Sequence, residues 1–346
     1  MNEAYFNRYL LILLSILPFS FLIGPSISLT NILVFDISII YFFFIKKEWS
    51  WTNEITIKIF LLLYLYLIFN SLISINPMVG FQRNFGFIRL IVLFIGINYF
   101  FNKYKYSDKI FRFWSLIILL IVMDIFIELI FGSNIFGYGA NEDRVASFFD
   151  DELIVGGFVL SFFFITVGFY LNKLNNFNNL VKILLLIFLI IFFISIIFTG
   201  ERSNSIKAIL GLVILIFSYF KFNLKSLSVL IILFFIIIFT VNKNNYLKNR
   251  FITSIIHSGN TFVSSFQHGT PHDNPSGNLY AKLYRSGYDV FKNYPYFGVG
   301  NKNYRVEACT NKFYHRGIHI MINNYVCMTH PHQIYFELLS EHGILG

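Results

Sequence analysis

The chain has 346 residues, of which 56% are hydrophobic, 20% aromatic and 13% charged, with a formal net charge of +9 and a mean hydropathy of +0.65. A soluble globular domain has no interior large enough to hide that much apolar surface, so the composition excludes that class and points to a membrane-embedded protein. The abundance of Phe, Ile, Asn and Lys beside scarce Ala partly reflects codon bias, and no function is read from it.

A helix needs roughly 20 apolar residues to cross about 30 Å of hydrocarbon. Nine runs come close to that length and are predicted as spans at 9–24, 28–45, 55–74, 85–101, 111–131, 152–171, 181–199, 205–220 and 226–241. The first follows Arg8 and has no small-residue cleavage site, so it reads as a retained helix and not a signal peptide. Lys46 and Lys47, then Lys103, Lys105, Lys109 and Arg112, then Lys173 and Lys182, then Lys221 and Lys225 all follow even-numbered runs. Positive residues resist translocation, so those connections are expected in the cytoplasm with the N-terminus, and Trp49, Trp51 and Trp114 flank the same side as interfacial indoles.

The short outward connections hold few cations, mostly single arginines: Arg83, Arg144 and Arg202. Arg202, in FTGERSNSIKAILG, sits at a membrane edge where an unpaired guanidinium is costly, which marks it as a candidate for binding an anion. The plainer alternative is a snorkelling anchor or a pair with Glu201. Asp124 and Glu128 lie four apart within the fifth run, on one helix face. Carboxylates at that depth raise a proton-relay reading, with Arg89 as an alternative partner.

The one long extramembrane segment, 242–330, carries ten Lys or Arg against three Asp or Glu, which implies an anionic ligand or a basic face near lipid headgroups. His257, His268, His272, His315, His319, His330 and His332 lie in it or at its exit, with His342 just beyond. Within it, GNLYAKLYRSGYDVFKNYPYFGVGN is predicted as a helix with Leu279, Leu283 and Tyr284 on one side and Arg285 on another, stopped at Tyr294-Pro295. Gly298 and Gly300 then allow a turn or a close approach to a ligand. Cys309 and Cys327, the only cysteines, share this outward segment and are predicted to form a disulfide that braces the histidines, the alternative being two thiols too far apart to bridge. The expected architecture is therefore all-α: a transmembrane bundle over 1–241, a large, partly helical extracytoplasmic loop over 242–330, and the start of a further helix over 331–346.

The closing stretch CMTHPHQIYFELLSEHGILG resembles the signature of the O-antigen ligase and polymerase superfamily, a His-Asn pair followed by a helix with a Glu and two Gly, with Gln333 here in place of the Asn. Arg144 in DRVASFFDDELIVGGF, Arg202 in TGERS and Arg285 upstream of NYPYFGVGNKNY match in the same order, so the resemblance covers most of the chain. It implies a bacterial inner-membrane glycosyltransferase that moves a glycan from an undecaprenyl-diphosphate carrier to an acceptor hydroxyl on the periplasmic side. Members differ in whether the acceptor is lipid A core, protein or another carrier-linked glycan, and the loop's modest size and the basic outer face tilt the reading toward ligase over polymerase. It also implies further transmembrane helices beyond Gly346, and His332 matches the family's catalytic histidine by position.

The chemistry agrees with that resemblance. A lipid diphosphate is a good leaving group that needs cations rather than a general acid, and arginine supplies them bidentately, so no metal or other cofactor is expected. Histidine is suited to accept the acceptor's proton. The expected catalytic residues are His332, Arg202 and Arg285, with Arg144, Arg83, His330, Gly298, Gly300 and Glu341 binding substrate. The expected partners are the carrier-linked donor, the glycan acceptor and membrane lipids, with no nucleic acid. A competing zinc reading rests on His330 and His332 with His315 and His319, which would be one helical turn apart. Glu337 and Glu341 share one helix face and cannot straddle a glycosidic bond; Glu341 reads as an orienting residue. The rival from another class, a transporter or flippase, lacks an inverted repeat or paired broken helices.

Overall fold

The computed structural model describes residues 3–103, 107–139, 144–149, 152, 154–220, 224–256, 259–260, 279–309, 314–315, 318–319 and 325–346. His257, His268 and His272 lie outside the described residues. The helices are α1 (Glu3–Ser15), α2 (Leu17–Ile23), α3 (Pro25–Lys46), α4 (Ile55–Leu72), α5 (Pro77–Phe85), α6 (Ile88–Lys103), α7 (Ser107–Phe131), α8 (Val155–Asn172), α9 (Asn179–Phe198), α10 (Arg202–Phe220), α11 (Leu224–Lys243), α12 (Asn245–Lys248), α13 (Leu279–Asn293), α14 (Tyr304–Cys309) and α15 (Ile334–His342). The only described strands are β1 (Tyr314–His315) and β2 (Ile318–His319), two residues each. The chain is thus all-α and belongs to the multi-pass membrane class.

Each of the nine predicted runs is helical, because their apolar residues satisfy the backbone within the segment. Among the described residues six helices are long and apolar enough to cross a membrane, and eight spans result if two bent pairs each count as one. One bent pair is α1 with α2, broken by 44° before Pro18, which lacks the N–H that would continue the ladder. The other pairs α11 with the helix of residues Asn245–Ile256 across a bend of 102°, where the Asn244 side chain accepts the Leu247 N–H and starts a new helix. Run 205–220, seen as α10, is outside these eight.

The described chain divides into two compact units, Met1–Asn31 with Tyr104–Ile255 and Ile32–Lys103 with Ile256–Gly346. In the first, Trp114 is buried and its indole donates to the Leu14 carbonyl at 2.9 Å, so it packs inside the unit instead of anchoring an interface. The Asp124 carboxylate accepts the Ile135 N–H at 2.9 Å and the Ser147 hydroxyl, and Glu128 accepts the Ala146 and Ser147 N–H groups at 3.2 and 2.6 Å. These carboxylates therefore staple down the loop that bears Arg144. Three backbone N–H groups and the Ser147 hydroxyl are thus the donors to this carboxylate pair.

In the second unit α4 and α5 form a tight pair, and α6 packs on α3 at Gly96, where a Cβ would lie 2.6 Å from the Phe35 ring. Helix α13 packs on α15, with Gly287 against Pro331 and Phe336. Its buried face is Ala281, Leu283, Ser286, Gly287 and Val290, so Leu279, expected on that side, is instead exposed. Val290, Val299, Tyr304, Ala308 and Tyr325 make a core beneath it. The Tyr304 hydroxyl donates to the Val326 carbonyl at 3.0 Å, and Ser286 Oγ accepts the Val326 N–H at 2.8 Å. Beside this anchor Cys309 and Cys327 form the predicted disulfide, with Cα atoms 4.6 Å apart.

Candidate active site

The site is built in the second unit by three short connections that meet. The Gly298–Asn303 turn is held by backbone bonds from Val299 N–H to the Ser340 carbonyl and from Gly300 N–H to the Glu341 carbonyl, both 2.9 Å. Gly298 has φ +66°, and a Cβ there would lie 2.3 Å from the Glu341 carbonyl carbon; at Gly300, with φ +96°, a Cβ would fall 2.0 Å from Ser74 Cβ. The close approach foreseen for these glycines is made to their own chain. On the other flank the Asn70 side chain takes the Asn301 N–H at 2.8 Å and donates to the Phe297 carbonyl at 3.0 Å, and Asn303 Oδ1 takes the Asn76 N–H at 2.8 Å. An asparagine network thus fastens the turn to the ends of α4 and α5.

Fixed in this way, the turn delivers Lys302 and Arg305 opposite the α5–α6 corner. The result is a cavity of about 730 Å³ lined by Val79, Gln82, Arg83, Gly86, Phe87, Arg89, Leu90, Lys302, Arg305, Thr329 and His330. Four permanent cations and an imidazole face it, and among the described residues its lining contains no carboxylate. Lys302 has a left-handed backbone, φ 59°, at a cost of about 1–3 kcal/mol, and is kept there by partners on α15. Its Nζ bonds Glu337 Oε1 at 2.8 Å, and Glu341 accepts the backbone N–H groups of Lys302 and Tyr304. Burial, the larger effect, raises the Glu341 carboxyl to about 7 against the opposing pull of those bonds and of the Lys302 charge. Its Oε1 is buried with no hydrogen-bond partner among the described residues. Glu341 therefore holds the backbone of the Lys302–Tyr304 segment, with backbone N–H groups in place of an arginine as its partners.

His330 and His332 flank Pro331 with ring centroids 4.1 Å apart. His330 lines the cavity, and its Nδ1 lies 3.0 Å from Thr329 Oγ1. Burial first, then the neighbouring His332 and Lys302, lower its imidazole below the ordinary value, with Glu337 opposing. His332 is exposed, has φ 57°, and meets the Tyr280 ring edge-on at 6.3 Å between centroids. Gln333 caps α15 by accepting the Phe336 N–H at 2.9 Å. His315 and His319 lie on paired antiparallel strands, with Tyr314 opposite His319, so the helical-turn spacing behind the zinc reading does not apply.

Residues 186–346 match the O-antigen ligase family. That segment is similar to an O-antigen ligase domain. No curated protein and no solved structure matches the chain. The matched, ligase-like segment contains Lys302, Arg305, His330, His332 and Glu341, whereas Arg83 and Arg89 come from α5 and α6 outside the matched residues. Of the remaining expected residues, Arg285 of the matched segment is paired with Asp289 at 3.4 Å and is absent from the cavity lining. Arg202, also within that segment, and Arg144 belong to the first unit. There the Val145 N–H reaches the Thr199 carbonyl at 3.3 Å and Glu201 Oε1 takes the Gly156 N–H at 2.7 Å, which draws the two arginine-bearing loops together. Arg89, Lys302 and Arg305 were not singled out as site residues from the sequence. A lone arginine opening an apolar helix was the one available signal for the first, and the other two were lost among the loop's ten cations.

Proposed function

We propose that the protein transfers a glycan from an undecaprenyl-diphosphate carrier to an acceptor hydroxyl, as an O-antigen ligase acting on lipid A core at the outer face of a bacterial inner membrane. The observation that carries this reading is the cavity walled by Arg83, Arg89, Lys302 and Arg305, with no carboxylate among its described lining residues. Such a cluster repels itself until an anion enters, and a diphosphate offers oxygens for several guanidinium forks at once. The acceptor oxygen bonds to the anomeric carbon of the donor sugar, and the bond from that carbon to the diphosphate breaks with its electron pair on the diphosphate. The acceptor proton passes to His332 and then to water. His330, kept neutral by burial and nearby cations, allows His332 to take that proton without a second imidazolium 4.1 Å away.

The test is transfer by the full chain in vesicles, given the carrier-linked donor with either lipid A core or a second carrier-linked glycan. A ligase extends only the former. His332→Ala should lower kcat by about a hundred- to ten-thousand-fold while donor binding persists. Near-normal transfer by that variant, or extension of the carrier-linked glycan alone, would overturn the base assignment or the ligase reading respectively.

A further inference from the structure

We infer that the aromatic row formed by Phe336, Tyr284 and Tyr280 is the platform for a pyranose ring of the acceptor, a reading that rests on the glycan transfer proposed above. The row is continuous. Phe336 and Tyr284 stack at 5.5 Å, Tyr284 and Tyr280 follow at 6.3 Å, Tyr280 meets His332 at 6.3 Å, and His332 meets His330 at 4.1 Å. The histidine pair therefore joins two surfaces of different chemistry. His330 is part of the cationic cavity, while His332 is outside its lining and faces the aromatic row.

The reaction needs that division. Displacement at an anomeric carbon brings the incoming oxygen in opposite the leaving diphosphate, so the acceptor must enter from the side of the histidines that lacks the cations. The row is built for a sugar more than for an acyl chain. Two of its three rings carry hydroxyls and an imidazole closes it, which matches a pyranose's apolar C–H face and hydroxyl rim. Tyr280 is 53% exposed, whereas Tyr284 and Phe336 are partly buried and support it from the α13–α15 packing.

The experiment uses the full chain and the Tyr280→Phe and Tyr280→Ala variants, with two readouts. The first is steady-state transfer with donor and acceptor varied separately. The second is saturation transfer from aromatic protons to a core oligosaccharide freed of its lipid. Tyr280→Ala should raise the acceptor KM about tenfold, roughly one ring contact, leave the donor KM unchanged, and abolish saturation of the sugar C–H protons. Tyr280→Phe should retain both. An unchanged acceptor KM in Tyr280→Ala, or saturation that reaches only the acyl chains of a lipid-linked probe, would overturn the platform while transfer itself stands. Conversely, Tyr280-dependent saturation of the sugar by a protein that transfers no glycan would support the platform and sink the transferase reading.

Discussion

Replacing Arg83 and Arg305 by Gln, singly and together, tests the anion cavity most directly. The lining presents four permanent positive charges, and one of them, Lys302, is already bonded to Glu337 at 2.8 Å. Three guanidinium groups then carry most of the uncompensated charge. A hydrogen bond to a charged partner contributes about 1.5–3 kcal/mol, or roughly ten- to 150-fold in affinity. Arg83 and Arg305 are exposed, so solvent screening puts each single variant near the lower end, at about tenfold in donor KM. The double variant should lose on the order of a hundredfold if the two act on separate oxygens, and less if they share one. Lys replacements keep the charge without the fork and should fall between arginine and Gln. Initial rates against donor concentration at low and high salt provide the measurement, and the penalties should shrink as salt shortens the Debye length from about 10 Å to about 3 Å. The reasoning is refuted if the double variant binds donor normally, or if Lys and Gln replacements are equally damaging at every ionic strength.

Burial holds the Glu341 carboxyl at about 7, above its ordinary value of 4.5, so the folded protein binds its proton more tightly than the unfolded chain. The sign follows from linkage: this contribution to stability is complete below about pH 4.5 and is lost as pH rises through 7. Glu341→Gln, which keeps an oxygen for the Lys302 and Tyr304 N–H groups, should flatten the fall in melting temperature across that window, and an unaltered slope would contradict the assignment. Gly298→Ala should cost about 2–5 kcal/mol, from about 1–2 for the left-handed backbone and about 1–3 for overlap with a backbone carbon that cannot rotate away. Its thermal midpoint should drop well below that of the parent, and an unchanged midpoint would refute the tight turn. Replacing both Cys309 and Cys327 by Ser should remove about 3 kcal/mol of loop-closure stabilisation and make the melting temperature insensitive to reductant. Recovery of both cysteines as free thiols from undisturbed membranes would rule the bridge out.

Much of this protein was legible in its sequence because the deciding information is local. A run such as 111–131 must satisfy its backbone within itself in hydrocarbon, and only a helix does so; α7 spans Ser107–Phe131 accordingly. The cysteine pair was equally plain, since two thiols have one pairing. Arg83 could be nominated because cations are scarce in the short outward connections, and His330 and His332 because the histidines gather in and after the long loop, where His332 falls on the family signature. Tertiary structure decided the rest. Arg83 and Arg305 lie more than two hundred positions apart and line one cavity only because Gly298 and Gly300 admit the neighbouring backbone and Ser74. The same closure leaves Arg285 paired with its helix neighbour Asp289, outside that cavity. Asp124 and Glu128 show in the sequence only as two carboxylates on one helix face, and their hold on the following loop is visible only once Ile135, Ala146 and Ser147 are seen to supply the donors. Periodicity and length are set by covalent neighbours, but the partner of a buried charge is set by whichever backbone the fold brings to it.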